Sequence, residues 1–165
     1  MSAIRILFAI LVCAWSTAAE DADAVKQKLI GTWKLVSYIR EEMPSGKKSD
    51  VMGPHPSGYL IYGADGRMMV IFVHSDRKKP LGAVATPAES DELLKGLVSY
   101  TGTYAIQGDT IVHHVDVSWN EAWTGTDQTR FYKFEGNRLS LATTKSLDPV
   151  EGKLSVRTLI WERVR

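Results

Sequence analysis

The feature that most constrains this chain is the stretch from Leu97 to the end, where short runs of alternating apolar and polar residues are separated by tight turns. Leu97 to Ile106 and Thr110 to Trp119 flank Gln107-Gly108-Asp109, and Gln128 to Glu135 and Arg138 to Thr144 flank Gly136-Asn137. Gly, Asn and Asp supply the left-handed backbone that a tight hairpin needs, and a period of two puts alternate side chains on one face. Such a chain folds as antiparallel sheet. A last strand is expected from Leu154 to Val164.

The first half uses the same grammar. Gly31-Thr32-Trp33 opens a strand to about Glu42, with Trp33, Leu35, Ser37 and Ile39 sharing a face. Met43 to Ser57, rich in Pro and Gly, reads as a loop, and Gly58 to Tyr62 pairs with Arg67 to Val73 across Gly63-Ala64-Asp65-Gly66. Two helices interrupt the pattern. Asp21 to Ile30 places Val25 and Leu29 four residues apart, and Thr86-Pro87-Ala88-Glu89 is a capping box that starts a helix to about Lys95, stopped by Gly96. That helix and the loop from His74 to Ala85 are expected to cover part of an opening.

The expected fold is all-β: an antiparallel barrel of about eight strands with a short N-terminal helix and one inserted helix. Closing about eight strands removes the exposed edges and leaves an interior able to hold one small ligand. A sandwich is the alternative; short sequential connections favour the barrel.

With 165 residues, 44% apolar and 24% charged, the chain suits one globular domain. A net charge of +1 provides no global field that would draw nucleic acid or anionic lipid. Met1 to Ala19 has Arg5, an apolar run from Ile6 to Trp15, and Thr17-Ala18-Ala19 before Glu20, the pattern of a secretory signal peptide. Its apolar run is shorter than the roughly 20 residues of a membrane span. Cleavage near Ala19 is therefore expected, giving a periplasmic or secreted domain of residues 20–165 with no stable membrane anchor. Cys13 falls inside the leader, so the mature chain has neither disulfides nor thiol chemistry.

Several motifs together resemble the bacterial and fungal lipocalin-like domain family. They are Gly31-Thr32-Trp33, Gly58 to Tyr62 with Asp65 to Met68, Tyr100 to Tyr104, His113 to Ser118, Trp123 to Thr126, Arg130-Phe131-Tyr132 and Leu159 to Arg163. The resemblance spans about Leu29 to Arg163 and implies a lipocalin-like barrel with a small-molecule cavity. It implies no assigned catalytic residue. It also suggests that Arg163 packs on Trp33, as a C-terminal-strand arginine does in lipocalins. Where that family often has a proline after the histidine strand, this chain has Glu121-Ala122.

Alternation along Thr110 to Trp119 puts Ile111, His113, Val115, Val117 and Trp119 on one, apolar face and His114, Asp116 and Ser118 on the other. His113 is thus the inward histidine, held neutral by burial. It can fill the core, orient a ligand or move a proton. A His114–Asp116 pair lacks further ligands, so no metal and no cofactor is expected. Trp119, Trp123, Tyr59, Tyr62, Tyr100 and Tyr104 are candidate pocket walls that would serve equally as core, whereas Trp33 and Trp161 are assigned to a closed end. Arg67, Arg130 and Arg157 lie in strands, where an outer, solvated face is favoured. Any of them that points inward would suit a carboxylate or phenolate ligand. No phosphate loop, nucleophile elbow, zinc spacing or catalytic cysteine is present.

The expectation is an exported protein that binds a small apolar or aromatic molecule, with His113, Trp119, Trp123, Tyr59, Tyr62, Tyr100 and Arg130 as site residues. The rival readings are a barrel enzyme of the isomerase or cyclase type with His113 as proton shuttle, and a barrel without ligand that acts as a structural or envelope-interaction protein. The oligomeric state is left open.

Overall fold

A computed structural model describes residues 21–147 and 152–165; the leader expected over residues 1–19 lies outside them. In order, the elements are α1 (Ala22–Leu29), β1 (Gly31–Glu42), β2 (Lys48–Asp50), β3 (Ser57–Tyr62), β4 (Arg67–Val73), α2 (Pro87–Lys95), β5 (Leu97–Gln107) and β6 (Thr110–Ser118). A 3-10 turn (Glu121–Trp123) leads to β7 (Asp127–Glu135), β8 (Arg138–Thr143), β9 (Ser146–Leu147) and β10 (Leu154–Arg163).

Every strand pairing is antiparallel, and β1 pairs with β10 to close the sheet β1-β3-β4-β5-β6-β7-β8-β10 into an eight-stranded barrel. The short β2 and β9 extend β1 and β10 at the open end. The all-β barrel and both helices thus stand as the sequence predicted. The Met43–Ser57 loop differs only in contributing β2.

Inside-outside alternation is regular in β3 and β4. Gly58, Leu60, Tyr62, Met68, Val70 and Phe72 are buried, while Tyr59, Ile61, Met69 and Ile71 face out. Two strands break the alternation with a bulge. In β1 the register shifts between Leu35 and Ser37, so Trp33 and Leu35 point inward but the inward row then continues through Tyr38, which pairs with inward Leu159, instead of Ser37 and Ile39. In β6 the shift falls where Val115 pairs with Gly102 and Val117 with Thr101, leaving Asp116 as the extra residue. A Cβ on Gly102 would sit 1.8 Å from the His114 carbonyl oxygen, so the bulged backbone can approach only a glycine here.

One end of the barrel is closed. Val25 and Leu29 of α1 are fully buried, and the Trp33 indole N–H donates to the Leu29 carbonyl at 2.8 Å. Arg163 lies over the Trp33 ring with its Cζ 4.2 Å from the centroid, and it donates to the Ile30 carbonyl at 2.9 Å and to that of Lys28. The arginine–tryptophan packing that the resemblance suggested is present.

At the other end, α2 has its full capping box, with Thr86 Oγ1 accepting from Glu89 N–H and Glu89 Oε2 from Thr86 N–H. The helix buries no side chain, and no residue from 74 to 96 lines the barrel cavity. Among the described residues no helix is long and apolar enough to cross a membrane.

Candidate functional site

The barrel encloses a cavity of about 440 Å³, within the range typical of small-molecule sites. Leu60, Val70, Phe72, Leu141, Leu159 and Trp161 give it apolar walls. Tyr38, Tyr100, His113, Gln128, Arg130 and Arg157 supply the polar groups, and Trp123 with Thr143 and Leu147 stands toward the mouth. A second cavity, about 750 Å³, lies between the 74–81 loop and α2. It is the larger of the two, but none of its lining residues is buried, and seven of the thirteen are Asp, Glu, Arg or Lys. A groove of that kind has neither the desolvated surface nor the fixed polar groups that hold a ligand, so the barrel interior is the candidate site.

His113 is the pivot of the interior. It points inward from β6 before the bulge, is 1% exposed, and is held on both ring nitrogens: Nε2 is 2.7 Å from the Tyr62 hydroxyl and Nδ1 is 3.0 Å from that of Tyr100. Burial, aided by the nearby Arg130 charge, lowers its pKa to about 3. Burial also raises the pKa of Tyr62, Tyr100 and Tyr38. Neither the imidazole nor these phenols changes charge near neutral pH, so none of them adds a charge to the cavity wall there.

Arg130 enters from β7 with 9% of its surface exposed, opposite Ile111 and Thr143. Arg157 reaches the same cavity from β10. An outer face was favoured for all three strand arginines; it holds only for Arg67, which makes an ion pair with Asp116 at 3.0 Å on the outside. That pairing takes Asp116 away from His114, which meets Asp127 at 2.8 Å instead. No group of three or more His, Cys, Asp or Glu converges among the described residues.

Of the expected site residues, the structure brings together His113, Tyr62, Tyr100, Trp123 and Arg130. Tyr62 does not line the cavity and acts on it only through His113. Trp119 does not line it either: the β6 bulge turns the strand's end, and Trp119 packs edge-on behind Trp123 at 4.9 Å between centroids, while Trp123 meets Tyr100 at 5.7 Å. Tyr59 is corrected outright, being 45% exposed on the outer face opposite Ile71. The bulge also corrects Val117, which is exposed, and puts Ser118 on the face of Tyr100; Ser118 Oγ accepts from Asn120 N–H and does not approach His113. Trp161, assigned to the closed end, lies deeper in the barrel and forms part of the cavity wall.

The loop after β6 is a 3-10 turn in place of the family's proline. Asn120 Oδ1 accepts from Ala122 N–H and Glu121 Oε2 from Thr124 Oγ1, and this turn carries Trp123 to the cavity. Tyr38 is the lining residue that the sequence concealed. Its only signal is the β1 bulge, and no Gly or Pro marks that bulge at Val36.

The profile of the family described as "Lipocalin-like domain" matches residues 30–164 of the 165. The chain belongs to the lipocalin-like domain family. Among solved structures, it is similar to a lipocalin-like protein from Bacteroides uniformis, at 17% identity and a TM-score of 0.45, covering 83% of this chain and 99% of that one. A second, an uncharacterized protein from Bacteroides eggerthii, gives 14% identity and a TM-score of 0.40, covering 82% and 99%. No curated protein matches.

Proposed function

We propose that this lipocalin-like domain is an exported protein that binds a small apolar or aromatic molecule inside its barrel. The observation that carries the reading is the cavity of about 440 Å³, whose walls are mostly aliphatic and aromatic and whose deep polar groups, His113, Tyr100 and Arg130, are fixed by hydrogen bonds. Export rests on the leader-like pattern of residues 1–19 alone. The enzyme reading is the weaker one. A proton shuttle needs a group that titrates near working pH with an accessible nitrogen, and His113 has a pKa of about 3 and both nitrogens engaged by tyrosines.

One observation favours a second reading. Tyr59, Ile61, Met69 and Ile71 form an exposed apolar patch across the outer face of β3 and β4, of the sort that serves an interaction surface. Titration with the neutral dye N-phenyl-1-naphthylamine separates the two. Dye bound in the barrel will lose at least tenfold in affinity when Thr143→Trp fills the cavity mouth, whereas Ile71→Ser will leave it unaltered. The reverse pattern would assign dye binding to the patch and sink the cavity reading.

A further inference from the structure

Charge in the cavity wall is concentrated on one side. The Arg130 guanidinium donates to the Thr129 carbonyl at 2.9 Å and, more loosely, to Gln128 Oε1 at 3.5 Å. All these partners are neutral. The cavity lining includes Arg130 and Arg157 and no Asp or Glu among the described residues. Glu42, on the inward row of β1, is engaged by Lys153 at 3.2 Å and by Arg40 at 3.7 Å. A guanidinium taken out of water and met only by neutral acceptors is a costly arrangement, and an anion brought into the cavity relieves it.

Counting hydrogens on the His113 network gives a second donor. A neutral imidazole has one N–H, and each tyrosine brings one hydroxyl hydrogen. Were Nε2 to donate to Tyr62, the Tyr62 hydrogen would be stranded in the core, because Tyr62 is 1% exposed and its hydroxyl bonds only His113 among the described residues. The opposite arrangement strands nothing. Tyr62 donates to Nε2, Nδ1–H donates to the Tyr100 oxygen, and the Tyr100 hydrogen is left for the cavity that Tyr100 lines.

From this convergence we infer that the ligand is an apolar or aromatic molecule bearing a carboxylate, whose oxygens meet the Arg130 guanidinium and the Tyr100 hydroxyl while its body lies against Phe72, Leu141, Leu159 and Trp161. A planar carboxylate matches the guanidinium fork with two oxygens, whereas a phenolate offers one. The inference rests on the cavity reading above and narrows it to one ligand class.

Calorimetric titration with 2-naphthoic acid and with its methyl ester at pH 7.5 tests it. The ionised acid is expected to bind on the order of ten- to a hundredfold more tightly than the ester, the increment typical of charge-assisted hydrogen bonds. Arg130→Gln should bring that ratio close to one, and Tyr100→Phe should cut it several-fold. An ester that binds the wild-type protein as well as the acid does would overturn the carboxylate assignment while leaving the apolar cavity standing. A preference that survives in Arg130→Gln would overturn it too, and failure of both probes to bind would overturn the cavity reading with it. The wild-type comparison needs no variant, so a folding defect in either substitution leaves the decision intact.

Discussion

Two arginines mark the two ends of this barrel, and the protein treats them differently. At the closed end Arg163 is stacked on Trp33, 4.2 Å from the ring centroid, with its donors on the last carbonyls around α1, where the negative end of the helix dipole favours a cation. Gly31 makes room for it: the backbone there has φ 134°, and a Cβ would lie 2.8 Å from an Arg163 guanidinium nitrogen. At the open end Arg130 has neutral partners and a cavity in front of it. The closed end spends its arginine on the fold, and the open end keeps one for a guest. His113, bonded to two tyrosines, separates the two regions.

That contrast can be broken most forcefully in the middle. His113→Ala removes a fully buried side chain and leaves the Tyr62 hydroxyl without its partner, so chemical denaturation should show a loss of about 3–5 kcal/mol. A loss below about 1 kcal/mol would mean that the tyrosines re-pair without it. The same residue gives the barrel a pH dependence of known sign. The unfolded imidazole takes up a proton below its ordinary value of 6.5, whereas the folded one resists down to about 3. Between those values the unfolded state binds more protons, so stability falls with falling pH by up to about 1.4 kcal/mol per unit. Melting curves of His113→Gln should be flatter than wild type between pH 6 and 4, and parallel curves would contradict this origin.

The two arginines themselves should respond in opposite directions. Arg163→Ala loses the stack on Trp33 and the clamp on α1, and a destabilisation of about 2 kcal/mol is expected in urea unfolding. Arg130→Met removes a buried charge with neutral partners, so the ligand-free protein should be unchanged or more stable by about 1 kcal/mol. If Arg130→Met is the more damaging of the two, the guanidinium is part of the fold and the contrast between the ends disappears.

The residues that were legible in the sequence are those obeying local rules. The capping box at Thr86, the hairpins around Gly108 and Gly136, and the α1 pair Val25 and Leu29 stand as read, because turn chemistry and capping act over a few neighbours. His113 and Tyr100 were also legible: His113 lies between the hairpin turn and the bulge, and the bulge's extra residue is on β6, so alternation along β5 is undisturbed at Tyr100. What failed was periodicity carried through a bulge. One extra residue near Val36 exchanged Ile39 for Tyr38 on the inner face, and one at Asp116 turned Val117 outward and moved Trp119 behind Trp123. Tyr59 failed for a different reason: β3 alternates perfectly, but the parity is set by Gly58, where a Cβ would approach the Ile71 carbonyl oxygen at 2.2 Å. Arg130 and Arg157 looked like surface residues by composition, and only closure of the barrel turns them inward.

The most direct test of the account is to map where an apolar carboxylate lands, using methyl and indole resonances during titration with 2-naphthoate. The account predicts shifts at Val98, Leu141, Leu159 and the Trp123 indole, with Leu29 and the Trp33 indole at the closed end unmoved. Shifts confined to Ile61, Met69 and Ile71 on the outer face, or an interior that does not respond at all, would contradict it.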